Sequence, residues 1–304
     1  MLITMSWLTL ALLAPLLYAI IILIDDNLLR TVYKSPQVGA AISGVFGLVP
    51  ALVLLILGHG DLSMPFGLAL LSVVAGLILV ISYYFYFQGF ESANPSVVAA
   101  VLTLTPVLIP FVAHFLVDER LTGTAIAGFI ILVVAAFAYT SVDTKKITIN
   151  KTLLPVLVAA LMLDGVAVAN KFVYQRADFY AAFIYFSLGM LVGGLVFWVI
   201  AKQSAPQGIF KQLRTKGSAK LVALLVMVEL LSLTAEFMHD RAISLGSVSL
   251  VGVLENLQPL YVLLIALLLF PFFPKQFREA GAGHIAIKLA LALVMVGGVF
   301  LVAR

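Results

Sequence analysis

The sequence contains no cysteine at all. It therefore cannot form a disulfide, a thiolate metal site or a cysteine nucleophile. Charge is scarce as well: only 11% of the residues are charged, against roughly 25% in an average soluble domain. The 18 Lys and Arg residues are spread through the links between apolar stretches, which argues against a nucleic-acid partner. Hydrophobic residues make up 63% of the sequence, which predicts a multi-pass membrane protein.

Catalytic signatures are also missing. The sequence has no H-E-x-x-H, no G-x-S-x-G, no P-loop and no Rossmann glycine pattern, so we predict that the chain is not an enzyme and carries no cofactor. His114 has no second ligand at metal-binding spacing. We interpret it as a polar residue at the membrane interface, and we predict no metal site.

Apolar stretches of about 20 residues, enough to cross a hydrocarbon core of about 30 Å as a helix, recur ten times. They cover residues 5–24, 37–57, 67–88, 95–116, 122–142, 152–170, 179–201, 219–238, 247–270 and 285–303. The link after the fifth stretch divides the chain into two predicted domains, 1–145 and 146–304. Because five is odd, the second half must enter the membrane in the opposite orientation. The predicted fold is all-α, with ten transmembrane helices in two inverted five-helix repeats around a central cavity, as in many secondary transporters.

A gapless alignment supports the repeat. Residues 96–108 match the segment 153 positions later, so that three residues of the first copy, Ser96, Leu104 and Pro106, fall on Ser249, Leu257 and Pro259. Proline has no N–H group, so each copy predicts a broken or kinked helix. Only the second copy carries a carboxylate, Glu255, together with Asn256 and Gln258. The predicted site therefore lies off-centre, toward the second half.

Further polar residues interrupt the apolar stretches. In the eighth stretch and just beyond it, Glu229, Ser232, Glu236 and then His239 or Asp240 recur every three or four positions, on one helical face. We predict a functional role for Glu229, since carboxylates inside a membrane are functional by default. The stripe could line an aqueous path. The interpretation favoured for Glu236, His239 and Asp240 is that they approach the membrane surface at the helix end.

Other polar and aromatic residues leave two interpretations open. Asp164 lies two helical turns before Lys171, and it either forms an ion pair or cap there or serves the site. Tyr18 could line a cavity and Asn27 could add a polar lining, whereas Asp25 and Asp26 are interpreted as solvated. Five aromatic residues that end the third stretch could cage a cation, but an interfacial belt is the favoured interpretation. They are Tyr83, Tyr84, Tyr86, Phe87 and Phe90.

Basic residues also suggest an orientation. Of the 18 Lys and Arg residues, 13 fall on the odd-numbered links. The positive-inside rule places those links in the cytoplasm and both termini outside it.

Residues 92–140, SANPSVVAAVLTLTPVLIPFVAHFLVDERLTGTAIAGFIILVVAAFAYT, resemble the EamA repeat of the drug/metabolite transporter superfamily. The resemblance covers the mid-helix proline and the short turn with Asp118, Glu119 and Arg120. The second half repeats it with SLGSVSLVGVLENLQPLYVLLIALLLF. The turn after this second copy, PFFPKQFREAGAGH, is longer and lacks the compact acidic and basic form. The usual family orientation, with both termini in the cytoplasm, is also opposite to the charge count.

The resemblance implies a basket in which spans one to four and six to nine surround the cavity, with spans five and ten outside it. Seven residues would then approach the cavity: Tyr18, Tyr83, Asn170, Glu229, Glu255, Asn256 and Gln258. The expected function is a secondary transporter of a small organic metabolite or drug-like compound in the inner cell membrane, working by alternating access and exporting its substrate. Coupling to a proton or another cation and a monomeric or homodimeric state are expected. A flippase for a lipid-linked sugar or another lipid is the alternative.

Overall fold

The computed structural model describes residues 6–91, 98, 101, 102, 105–143, 154–201, 218–269 and 282–302. Within these ranges the regular structure is entirely helical. The helices of the first half are α1 (Trp7–Leu28), α2 (Pro36–Phe46), α3 (Leu48–Ile56), α4 (Phe66–Phe90), α5 (Ile109–Val117) and α6 (Gly123–Asp143). Those of the second half are α7 (Leu154–Tyr174), α8 (Phe179–Ile200), α9 (Ser218–Leu245), α10 (Val248–Glu255), α11 (Gln258–Leu269) and α12 (Ala282–Val302).

Seven helical segments are long and apolar enough to cross a membrane: Trp7–Asp25, Pro36–Ile56, Phe66–Phe90, Leu154–Tyr174, Phe179–Ile200, Ala219–Leu245 and Val248–Ile265. Three more apolar helices are shorter by the same measure: Thr105–Val117, Gly123–Tyr139 and Ala286–Val302. All-helical membrane architecture is thus confirmed for the described part of the chain. Ten full crossings remain a prediction, and the predicted domain boundary near residue 145 lies outside the described residues.

Several helices begin where a side chain satisfies backbone N–H groups that have no partner inside the helix. Ser35 accepts from the N–H of Val38, and Pro36 follows it at the first helical position of α2. Asp178 accepts from the N–H groups of Tyr180 and Ala181 and so begins α8. These caps fix helix starts that apolar periodicity alone leaves uncertain.

The helices pack so closely in places that only glycine fits. A Cβ atom on Gly44 of α2 would lie 2.5 Å from the Cα atom of Gly194 in α8. Small residues at such crossings allow helices in a membrane to approach and gain van der Waals contact. The outer surface instead exposes large apolar side chains, including Ile56, Phe66 and Phe115, each more than 80% exposed. This is the surface that a lipid environment covers.

Helix α1 runs antiparallel to α9, since Trp7 contacts Gly246 whereas Tyr18 reaches back along α9 to Glu236. Helices α6 and α12, which correspond to spans five and ten, pack on each other. Within the part of the chain that the structure describes, neither contributes a residue to the wall of the central cavity, in agreement with the peripheral place that the resemblance implied.

Both predicted proline breaks are present. Pro106 lies in a 3-10 turn, Thr105–Leu108, directly before α5. Pro259 follows the interruption at Asn256 and Leu257 that separates α10 from α11. At this interruption the N–H groups of Asn256 and Leu257 bond to carbonyls only three residues back. Two partners in the alignment, Ser96 and Leu104, lie outside the described residues.

Candidate functional site

A cavity lies between helices of both halves of the chain. Its volume is about 160 Å³. Its polar and aromatic wall consists of Tyr18, Asp25, Ser43, Tyr83, Tyr86, Phe87, Asp164, Glu229, Ser232, Glu236, His239, Asp240, Glu255, Asn256 and Gln258. Pro106 of the first proline break and Gly252 of the second repeat copy also line it. The cavity therefore gathers most of the residues that the sequence singled out.

Glu229 lies in the middle of α9 and is only 2% exposed. Its Oε1 atom accepts one hydrogen bond from the Tyr33 hydroxyl at 2.8 Å and another from the Ser43 hydroxyl at 2.9 Å. Tyr33 ends a π-helical turn, Leu29–Tyr33, that continues α1. The functional prediction for Glu229 stays untested, but the residue is held in place by two donors that no sequence pattern indicated.

The solvated interpretation of Asp25 is wrong. Asp25 is 5% exposed, lines the cavity, and accepts a hydrogen bond from the Tyr86 hydroxyl at 2.9 Å. It also lies within electrostatic reach of Glu229. The reason is that the helix does not stop at Asp25, as the end of the apolar stretch suggested, but continues to Leu28 and then through the π-helical turn.

The surface interpretation of Glu236, His239 and Asp240 is also wrong. All three are buried and line the cavity, because α9 extends to Leu245 rather than ending near residue 238. Glu236 accepts a hydrogen bond from the Tyr18 hydroxyl at 3.0 Å. Tyr18 thus lines the cavity as expected and connects α1 to α9.

Asn170 departs from the expectation that it lines the cavity: it is absent from the wall and 1% exposed. Its Nδ2 atom donates to both carboxylate oxygens of Asp240 at 3.2 Å. The Tyr174 hydroxyl donates to the same carboxylate at 2.8 Å. Asn170 and Tyr174 of α7 therefore position Asp240 from behind.

The second proline break brings three polar side chains to the wall. Nδ1 of His239 lies 2.6 Å from Oε1 of Glu255, which joins α9 to α10. Asn256 is 1% exposed, and neither its amide nitrogen nor its amide oxygen has a hydrogen-bond partner among the described residues. Gln258 completes the group. The polar cluster of the second repeat copy thus faces the cavity as predicted.

The alternative of an ion pair between Asp164 and Lys171 is not realised. Asp164 lines the cavity, whereas the Lys171 ammonium donates to the backbone carbonyls of Ile243 and Gly246. These carbonyls belong to the last turn of α9 and the residue after it, where a cation is favourable. The two residues are separated in function: one faces the cavity and the other holds a helix end.

The aromatic residues at the end of α4 do not form an interfacial belt. Tyr83, Tyr86 and Phe87 line the cavity, and Phe90 is 1% exposed. Tyr84 stacks on Phe197 of α8 with ring centroids 5.3 Å apart. The favoured interpretation is therefore wrong for these residues, and three of the rings face the same space as the carboxylates.

One contact between the halves lies away from the cavity and was not anticipated. The carboxylate of Glu119, in the turn after α5, accepts from the Ser247 hydroxyl at 2.7 Å and from the N–H groups of Val248 and Ser249 at 2.9 and 3.1 Å. We call this arrangement the Glu119 cap. A carboxylate at a helix N-terminus is favoured by the backbone donors and the helix dipole. The turn that carried the family resemblance thus anchors the start of α10.

The charge of the wall is one-sided. Among the described residues that line the cavity there are six carboxyl groups and one imidazole, but neither Lys nor Arg. The carboxyl groups are those of Asp25, Asp164, Glu229, Glu236, Asp240 and Glu255. No group of three metal-ligating side chains occurs in the described part of the chain. Such a wall suits an organic solute of positive charge better than an anion.

Comparison with known proteins identifies a family that part of the chain matches. Residues 5–141 match the EamA-like transporter family. The comparison with curated proteins gives no match. A crystal structure of another protein aligns over 97% of this chain and 94% of its own, with a TM-score of 0.69 and 19% sequence identity. At that identity the likeness shows a common fold.

Proposed function

The chain belongs, through residues 5–141, to the EamA-like transporters of the drug/metabolite transporter superfamily, and from this premise we propose that it is a secondary active carrier of a small organic solute. The solute would occupy the central cavity. Alternating access and export across the cell membrane are parts of the same proposal. Transport across a membrane is the general function of the family, and the side chains of the cavity wall indicate which kind of solute is carried.

The observation that carries the proposal is the cavity with its carboxyl groups. Helices α1, α2 and α4 of the first half enclose it together with α7, α9 and α10 of the second. Charged groups inside a membrane are costly and are kept where they face an interior path or a binding site. Asp25, Glu229, Glu236 and Asp240 are each less than 9% exposed. Their retention so deep in the bundle supports a role in solute binding or coupling.

The same wall supports the proposal that transport is coupled to a proton or another cation. A carboxyl group can hold either a proton or a cationic solute, so exchange of one for the other would link their movements. Glu229 and Glu255 are the coupling candidates, and both line the cavity. The two proline breaks, at Pro106 and Pro259, support a pair of discontinuous helices such as those that line the sites of secondary transporters.

Transport of a lipid-linked sugar is the competing function. A flippase would need a site for a phosphate, for which Arg or Lys is the usual ligand. Neither residue occurs among the described residues of the cavity wall. The wall therefore favours the carrier of a small solute.

The test is counterflow in proteoliposomes. Purified protein is first screened by thermal shift against amines, amino acids, sugars and lipid-linked sugars, because a ligand raises apparent stability. Liposomes loaded with a stabilising solute should then take up the labelled solute transiently against its gradient. A pH gradient should drive the same solute. Failure of every stabilising solute in counterflow would contradict the carrier.

Glu255→Gln tests the coupling role within this assay. The change keeps the side-chain volume and removes the charge, so pH-driven uptake should fall about tenfold or more if Glu255 couples transport. Glu91→Gln is the matched control, since Glu91 is exposed at the end of α4. Unchanged, still pH-dependent uptake by Glu255→Gln would remove Glu255 from the mechanism.

A further inference from the structure

We propose that the solute of this cavity is a linear dication, an α,ω-diamine whose two ammonium groups bind opposite ends of the cavity. The proposal rests on the proposed carrier function and adds the substrate class to it. It is carried by the spacing of carboxylates on α9, by the apolar and aromatic wall between them, and by an unpartnered amide.

The carboxylates form two groups along α9. Glu229 and Glu236 are seven residues apart, which is nearly two full turns and about 10.5 Å along the axis, so both project from the same face. Asp25 lies within electrostatic reach of Glu229. At the other end, Asp240 and Glu255 lie within electrostatic reach of Glu236. The cavity thus has an acidic end at Glu229 and a second acidic end at Glu236.

Charge balance favours a cationic solute that reaches both ends. At the Glu236 end the one imidazole, His239, is already paired with Glu255. At the Glu229 end, the described side chains that donate hydrogen bonds to the carboxylates are neutral hydroxyls, those of Tyr33, Ser43 and Tyr86. Buried charges without a partner cost several kcal/mol each. A solute with one ammonium group would neutralise one end and leave the other, whereas a solute with two reaches both.

The wall between the two ends fits a methylene chain. Tyr83 lies within electrostatic reach of Glu229 and Asp25 and also of Glu236 and Asp240. Its ring lines the same cavity as these acidic groups, where it can contact both methylene groups and an ammonium. The rest of this wall is largely apolar and includes Ile21, Leu79, Leu102, Ile109, Leu163 and Leu233.

An independent sign of a ligand is Asn256. Its side chain is 1% exposed and lines the cavity, and both polar atoms of its amide are without a hydrogen-bond partner among the described residues. Buried polar groups are normally satisfied. The amide oxygen can accept from an N–H group, so an ammonium at the Glu236 end would satisfy it together with the neighbouring carboxylates.

The dimensions set the length of the diamine. If each nitrogen lies about 3 Å from its carboxylate, carboxylates about 10.5 Å apart leave roughly 5–10 Å between the nitrogens. A chain of about four to six methylene groups covers that separation. A space of about 160 Å³ holds roughly ten water-sized groups at about 15 Å³ each, which also fits such a molecule.

The proposal is tested by calorimetric titration of the purified full-length protein in lipid nanodiscs. The probes are 1,5-diaminopentane and the matched monoamine pentylamine. The diamine should bind about tenfold or more tightly than the monoamine, because only the diamine forms a charge-assisted bond at both ends. Among diamines of increasing length, affinity should be highest at about four to six methylene groups. Equal affinity for diamine and monoamine, or affinity that only rises with length, overturns the proposal.

Two variants locate the two ends. Glu229→Gln and Glu236→Gln should each reduce the preference for the diamine to about threefold or less, since one end then lacks its charge. The introduced amide oxygens can still accept hydrogen bonds from the hydroxyl groups of Tyr33 and Tyr18. The control Glu91→Gln should keep the full preference for the diamine. A preference that persists in both variants overturns the proposal. Binding and counterflow of other solutes with no diamine preference would refute the substrate class but leave the carrier function standing, whereas failure of all counterflow refutes both.

Discussion

Replacing Glu119 with glutamine is expected to weaken a contact between the two halves of the chain. The Glu119 cap consists of three hydrogen bonds to the first residues of the second proline-broken segment. Glutamine keeps the volume but has only one oxygen that can accept. The variant therefore loses the negative charge at the N-terminus of α10 and presents an NH₂ group to a donor.

The magnitude follows from these bonds. A hydrogen bond to a charged group contributes about 1.5–3 kcal/mol. Glu119 is partly exposed, which places the loss toward the lower end of that range. Ser247 also accepts from the N–H of Leu250 at 3.0 Å, so one native cap survives. A net loss of about 2 kcal/mol corresponds to roughly a 30-fold change in an equilibrium between the arrangement with the Glu119 cap and one without it.

The absence of cysteine makes the assay direct. Ala167 lines the cavity on α7, one helical turn before Lys171, which binds the end of α9. In Ala167→Cys the introduced thiol is the only one in the protein. A membrane-impermeant maleimide should label it slowly, and adding Glu119→Gln should speed labelling by about tenfold or more, up to the full population change of about 30-fold.

Asp118→Asn in the same background is the matched control. Asp118 lies in the same turn, but its side chain is 81% exposed and, among the described residues, forms an ion pair only with Arg120 at 3.4 Å. Exposed pairs of this kind contribute about 0–1 kcal/mol, and asparagine tolerates the left-handed backbone at this position, where φ is 50°. Labelling that is no faster in Glu119→Gln than in Asp118→Asn would refute the reasoning.

Two further changes test how the cavity is built. In Gly76→Ala the new Cβ would contact the carbonyl oxygen of Phe186 and lie 2.9 Å from the N atom of Met190, so the free energy of unfolding in detergent should fall by about 1–3 kcal/mol. The control is Gly165→Ala, whose Cβ would have no atom within 4 Å; this change should be neutral or stabilising by up to about 1 kcal/mol. Equal effects of the two changes would contradict the close approach of α4 and α8. Tyr33→Phe removes the 2.8 Å hydrogen bond to Glu229 and should lower the free energy of unfolding by about 1.5–3 kcal/mol. The control Tyr185→Phe loses a 3.3 Å hydrogen bond to the Leu62 carbonyl and should lower it by about 1 kcal/mol or less. A Tyr33→Phe variant as stable as Tyr185→Phe would show that Glu229 does not depend on this donor.

Carboxylates and amides within an apolar stretch were predictable as cavity residues because hydrocarbon tolerates them only when they face inward. Glu229, Glu255, Asn256 and Gln258 meet that expectation. Asn170 shows its limit, since a polar residue can also face inward by supporting another side chain. Composition indicates that such a residue is buried, but only the packing of α7 against α9 shows that Asn170 lies behind Asp240.

Residues near the ends of apolar stretches were misjudged for a different reason. Hydropathy ended the eighth span near residue 238, yet α9 continues to Leu245, where Lys171 binds its last carbonyls. A helix that runs on for two turns carries Asp240 away from the surface and into the bundle. Asp25 was missed in the same way. Its burial depends on Tyr86, which is 61 residues away in the sequence, and no local pattern reports such a contact.

The proline breaks show how a repeated scaffold can carry an unrepeated site. Leu102 and Glu255 occupy equivalent positions in the aligned segments, and both line the cavity. The aligned positions of the two copies therefore share a place in the cavity wall, but only the second brings a charge. Five of the six carboxyl groups in the wall belong to the second half, and Asp25 alone belongs to the first. A cationic solute in this cavity would remain bound mainly to α9 and α10, while movement of the first half would change its contacts with Asp25 and the rings of α4.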